Sequence, residues 1–194
     1  MKKLFLIVLV LISLQSFGQG IFSRLSFGIK GGGNYSNFYN AGFKTEGLAG
    51  FHAGMTINLK LTGHLSIQED ILYSTQGAKI KDGSFSKEDL KLSYMSLPIL
   101  LKYRSMFGLY VEAGPQFNML ISDAKDTGLG DFAEKIDAGG AAGFGYEFTR
   151  GPVKGLGIGA RYYMGLTKVG KFTTSNINPD FKNGIMQASI FYTF

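Results

Sequence analysis

Eight stretches of this chain alternate apolar and polar residues with period two, and no apolar run after residue 20 is long enough to cross a bilayer as a helix. Period two is the signature of a strand, because successive side chains leave a pleated backbone on opposite faces. In "LSFGIKGGGNYSNF" the apolar set is Leu25, Phe27, Ile29 and Tyr35, and in "GLAGFHAGMTINLKL" it is Phe51, Ala53, Met55, Ile57 and Leu59. "LSIQEDILYSTQG", "YMSLPILLKY", "LYVEAGPQFNMLI", "IDAGGAAGFGYEF" and "LGIGARYYMGL" repeat the pattern, and the last, "GIMQASIFYTF", carries it to Phe194. Short connectors fall near residues 61–64, 104–107 and 150–154, and long polar ones near 39–46, 78–91, 122–135 and 168–182. An up-and-down barrel segregates loop length by side in this way, as outer-membrane barrels do. The expected fold is all-β: an eight-stranded antiparallel up-and-down transmembrane β-barrel. In a bilayer only a closed sheet of this kind pairs every backbone group.

The polarity of the barrel is the decisive question. A soluble lipocalin-like barrel would turn its apolar parity inward, whereas a membrane barrel turns it toward lipid. Two features favour the second. The polar parity is rich in glycine (28, 32, 50, 54, 114, 139, 143, 145, 157, 159 and 165), which suits a narrow lumen more than a solvated surface. The apolar parity ends in aromatics, Phe27, Tyr35, Tyr73, Tyr103, Phe148, Tyr192 and Phe194, which are expected to form interfacial girdles in contact with outer membrane lipids. Phe194 ends a lipid-facing row and matches the terminal signature that outer-membrane barrels present to their insertion machinery.

The opening "MKKLFLIVLVLISLQSFGQG" has a basic start at Lys2 and Lys3, a short apolar core and small residues at 16 and 18. This is the layout of a secretory signal peptide over residues 1–18, leaving 19–194 as one barrel domain and the cell outer membrane as destination. The chain has no Cys, so neither a lipid anchor on cysteine nor disulfides can hold it. The formal charge of +6 falls to +4 without Lys2 and Lys3, too mild to argue for nucleic acid.

With the strands in order, the chain resembles the PorT-like outer membrane β-barrel proteins of the Bacteroidetes type. The resemblance rests on "FGIKGGGNYSNF", "IQEDILYSTQGAKI", "YMSLPILLKY", "LYVEAGPQF", "DAGGAAGFGYEF", "ARYYMGL" and the terminal "FYTF". Glu69, where the family often has Pro, and Ser96, where it often has Glu, depart from the pattern. The resemblance implies an eight-stranded outer-membrane barrel and, through PorT, a link to protein secretion; it implies no shared activity.

The inward parity holds three cations and three anions, Lys30, Lys102 and Arg161 with Asp70, Glu112 and Glu147. Eight strands leave a lumen that side chains fill, and buried charges need partners, so a paired network is expected rather than a gate for ions. Glu69 is the anomaly: by parity it faces lipid between Ile67 and Ile71. A β-bulge that turns it away is the favoured expectation; the alternatives are protonation or a partner outside the barrel. The two histidines, His52 and His64, do not assemble with a serine and an acid at matching depth, so no catalytic set is expected, and a lipid A-modifying enzyme is the weakest reading. No Cys/His cluster has metal-ligand spacing, "GIKGGGN" lacks the phosphate-loop pattern, and no cofactor is expected. The short-turn rim carries Arg24, Lys60, Arg104, Arg150 and Lys154 without an acid. Solvation and head-group contact explain it; the sharper reading is a docking surface for a periplasmic partner. The expected role is structural or interactive, through the extracellular loops toward a protein partner or ligand, with a narrow channel as the alternative.

Overall fold

The computed structural model describes residues 23–41, 45–80, 89–122, 133–170 and 180–194. The expected signal peptide, residues 1–18, lies outside the described residues. Eight strands follow in order: β1 (Leu25–Tyr39), β2 (Thr45–Lys60), β3 (Leu65–Ile80), β4 (Asp89–Arg104), β5 (Leu109–Ser122), β6 (Ile136–Glu147), β7 (Leu156–Gly165) and β8 (Lys182–Thr193). Each pairs antiparallel with its neighbour in sequence, and β1 pairs with β8 from Gly28↔Thr193 to Tyr39↔Lys182, closing the sheet into a barrel. All expected strands are present. They run from 10 to 16 residues, several beyond the 9–11 that suffice to cross a bilayer. One connector is shorter than expected: β1 and β2 are joined by residues 40–44 rather than by a long loop over 39–46. Asn40 turns the chain there with a φ of 62°.

The alternation sorts the side chains as a membrane barrel requires. Phe27, Ile29, Leu101, Val111, Phe144, Ile158 and Ile190 lie exposed on the outer face, while Lys30, Asp70, Lys102, Glu112 and Arg161 are buried inside. A lipocalin-like barrel would show the reverse, so the soluble alternative is removed. The seven girdle aromatics all point outward. Tyr35 stands eight residues above Phe27 on β1, which for a rise of ~3.3 Å and a tilt of ~40° is about 20 Å along the barrel axis. That separation matches two interfaces of one apolar band.

Glycine lets the wall close tightly. A Cβ on Gly32 would run into the Ala188 carbonyl of β8, and one on Gly54 into the Ile71 carbonyl of β3. On β6 and β7 glycine serves a different purpose. Tyr110 leans along the inner wall over its register partner Gly145 on β6 and on to Gly159 on β7, and the Phe191 ring lies over its own partner on β7, Gly157. Small inward residues thus make room for aromatics from the strands beside them.

Glu69 corrects one expectation. The register does not shift at Glu69, from Ile57↔Glu69 on β2 to Glu69↔Ile99 on β4, and it is the same again at Leu72↔Ser96, beyond Asp70 and Ile71, which are unpaired on the β4 side; the irregularity between β2 and β3 falls instead between Gly47 and His52. With no bulge to turn it, Glu69 is exposed on the outer face. The pleat is kept because isoleucines on both neighbouring strands hold the register.

Candidate functional site

The lumen is stacked in layers, from the end with short turns to the end with longer connectors. At the short-turn end Glu147 lies between two cations: Lys102 Nζ is 3.3 Å from its carboxylate, and Arg104 pairs with its other oxygen. Lys102 also donates to Gln68 Oε1 at 3.1 Å and sits 4.1 Å from the Tyr110 ring centroid and 4.9 Å from that of Phe191. Both rings face the ammonium, which takes the place of water around a buried cation. One step up, Asp70 is shared by Lys30 and Arg161, each at 2.9 Å, and accepts from Gln68 Nε2 at 2.9 Å. Arg161 closes the layer on Glu112, with Nη2 at 2.7 Å and Nε donating at 2.8 Å.

All six charges expected inside lie in this cross-wall network, and Gln68 joins its two halves. Arg104, placed on the rim by sequence, reaches inward to become a seventh member. The network spans β1, β3, β4, β5, β6 and β7, so it ties strands that are not neighbours. Burying such charges is costly, and each anion meets two cations or, for Glu112 Oε1, two nitrogens of one arginine, because an unpaired one would cost several kcal/mol.

Above it lies a neutral layer. His52 Nδ1 is 2.7 Å from Asn34 Oδ1, and its Nε2 is 2.9 Å from Ser189 Oγ. The Asn34 amide in turn donates to Ser74 Oγ and to the Phe51 and Thr75 carbonyls. Sequence reasoning found no serine–histidine–acid set, and the structure assembles a serine–histidine–asparagine chain instead. Hydrogen-bond reach alone does not make a nucleophile competent; a reacting carbonyl must reach it. His52 and Asn34 are buried, with the ionic layer below and apolar packing above. Their hydrogen bonds lace β1, β2, β3 and β8 together.

A second polar group was missed. Asp137 is buried and has no cation beside it among the described residues. Its carboxylate accepts from Asn118 Nδ2 at 3.1 Å, Asn183 Nδ2 at 2.9 Å and Thr167 Oγ1 at 3.2 Å. The signal was present, since Asp137 shares the parity of Gly139, Gly143 and Glu147.

The top of the lumen is apolar. Phe38, Ala78, Leu90, Leu92, Tyr94, Ala133, Val169 and Phe181 form one buried cluster, with Phe38 and Phe181 ring centroids 4.7 Å apart. Lower down, where Leu100 pairs with Gln68, Leu100, Ala141, Tyr163 and Ile185 form a second, smaller one. The paired charges expected inside thus fill only part of the lumen, and packed apolar side chains occupy its long-connector end. Among the described residues no group of His, Cys, Asp and Glu could hold a metal ion.

The short-turn end is open. A cavity of about 420 Å³ enters the barrel there, its floor formed by Lys102, Arg104 and Glu147 and its rim by Lys60, His64 and Lys154.

A closed up-and-down sheet with a buried ionic interior and an apolar outer belt defines a small integral membrane barrel of the bacterial outer-membrane class. The chain belongs to the outer membrane protein beta-barrel domain family, whose sequence profile matches residues 15–170. Its fold is similar to that of the outer membrane protein OprG from Pseudomonas aeruginosa, with a TM-score of 0.56, 15% sequence identity, and 87% of this chain and 95% of that chain covered. It is also similar to Neisserial surface protein A, with a TM-score of 0.51, 15% identity, and 87% and 97% covered. Among curated proteins none matches the sequence.

Proposed function

We propose that this barrel is a sealed outer-membrane anchor that acts by engaging a protein partner or ligand from its outer surface and loops rather than by conducting solutes. The observation that carries the reading is the filled lumen: two ionic tiers, a neutral hydrogen-bonded tier and an apolar cap follow one another along the axis. A pore that conducts keeps a continuous wet path, and eight strands have no room for one beside these side chains. What remains for function is the exterior. The resemblance to PorT-like proteins supports a partner that belongs to a protein-secretion assembly, and the exposed Phe194 at the short-turn rim supports recognition by the barrel-insertion machinery. No catalytic role is assigned: His52 and Ser189 work as structural hydrogen-bond partners.

Planar-bilayer recording on the refolded full chain tests the reading. The expected result is an absence of unitary current steps; stable ohmic steps that change on Asp70→Asn would overturn it and install the narrow channel in its place.

A further inference from the structure

We propose that the vestibule at the short-turn end is a binding site for a phosphate group. Four cations line it, Lys60, Lys102, Arg104 and Lys154, against one side-chain anion, Glu147. Glu147 is already held by Lys102 and Arg104, which leaves Lys60 and Lys154 without an ion pair among the described residues. Even with the carboxylate that a chain ending at Phe194 carries, positive charge is in excess.

The remaining lining supplies hydroxyls. Ser26, Thr62, Ser66, Thr149 and Thr193 each offer a rotatable donor, and Asn58 an amide. A pocket rich in donors and poor in free acceptors fits an oxyanion with several oxygens, and phosphate offers the most acceptors in the smallest volume. The barrel wall strengthens the attraction, because field lines are focused in a cleft whose lining carries an excess of one sign of charge. The cavity of about 420 Å³ is wide enough for a head group and closed at depth by the Lys102–Glu147–Arg104 floor. A ligand therefore enters and leaves by the same mouth.

The phosphate could belong to a soluble ester or to a phospholipid head group at the adjacent membrane surface, and the test has an arm for each. The full chain, refolded in an uncharged maltoside detergent, is titrated with inorganic phosphate at constant ionic strength while amide chemical shifts are followed. A parallel sample is placed in nanodiscs of phosphatidylcholine with and without phosphatidylglycerol.

The expected result is saturable shifts at Gly63, His64 and Gly155, weakened at least tenfold by Lys60→Gln and by Lys154→Gln. Lys91→Gln removes the same charge from the opposite half of the barrel and should leave the affinity unchanged. Unheated gel migration verifies that each variant is folded. Shifts only with phosphatidylglycerol assign the lipid, and shifts with inorganic phosphate assign the soluble source. Neither response, or equal weakening by Lys91→Gln, overturns the proposal.

Discussion

Replacing Glu69 by leucine should make this barrel more stable, although it removes the one ionisable residue on the outer face between the girdles among the described residues. Leu65 pairs with Tyr103, a girdle aromatic of the short-turn end, and Glu69 lies four residues further along β3. At ~3.3 Å per residue and ~40° of tilt, that is about 10 Å into an apolar band ~25 Å tall. A basic side chain at the midplane of such a band costs roughly 2–4 kcal/mol and an acidic one less, so the carboxyl accounts for about 1–2 kcal/mol. Leucine also adds apolar surface at a site flanked by Ile57, Ile67, Ile71 and Ile99, worth about 1 kcal/mol at partial burial. The sum is about 2–3 kcal/mol, a sizeable share of the 5–15 kcal/mol typical of folded domains. The assay is reversible urea unfolding in lipid vesicles, followed by circular dichroism or gel shift because the chain has no Trp. Glu69→Gln should recover only part of the gain, since the amide is still polar. Ile67→Leu, two residues away on the same face, should change little. A destabilised Glu69→Leu would refute the reasoning, because it would mean the carboxyl makes a favourable contact that the unshifted register does not provide.

Asp70→Asn should destabilise by roughly 3–5 kcal/mol, because among the described residues Lys30 loses its one ion pair and Arg161 keeps only Glu112; the urea midpoint reports it. Gly32→Val should prevent closure, since even a Cβ collides with the Ala188 carbonyl, whereas Gly140→Ala should fold normally because nothing lies within 4 Å of its Cβ; heat-dependent gel migration separates the two. Ser189→Ala should leave no hydrolytic deficit and cost about 1 kcal/mol through the lost bond to His52; labelling of Ser189 by a fluorophosphonate would contradict the structural assignment of that serine.

The parity of side chains was readable because a bilayer outside and a narrow lumen inside impose opposite chemistry on alternate residues. This is why Lys30, Asp70, Lys102, Glu112, Glu147 and Arg161 could be assigned to one face from sequence. Their pairing was not readable, since partners such as Arg161 and Asp70 lie on strands far apart in the chain and meet only across the lumen. The apolar cap escaped for a related reason. Leu90, Leu92 and Tyr94 alternate with polar neighbours as strand residues should, but the pattern does not say at which height a lumen turns from ionic to dry. Glu69 failed in a different way: a bulge was invoked to spare a charge from lipid, yet the ladder on both sides favours a regular pleat over that relief. His52, Asn34 and Ser189 come from three strands, and no spacing along the chain announces their meeting.

The join between β1 and β8 has a kinetic consequence. Twelve residue pairs link the first strand to the last, and they come from opposite ends of the polypeptide. The greatest loop-closure entropy in the molecule is therefore spent on one contact, and rates fall as such distant pairings dominate. Until that contact forms, β1 and β8 are both open edges, able to pair with another chain. The hazardous interval in the life of this protein is the wait before its two outermost strands find each other.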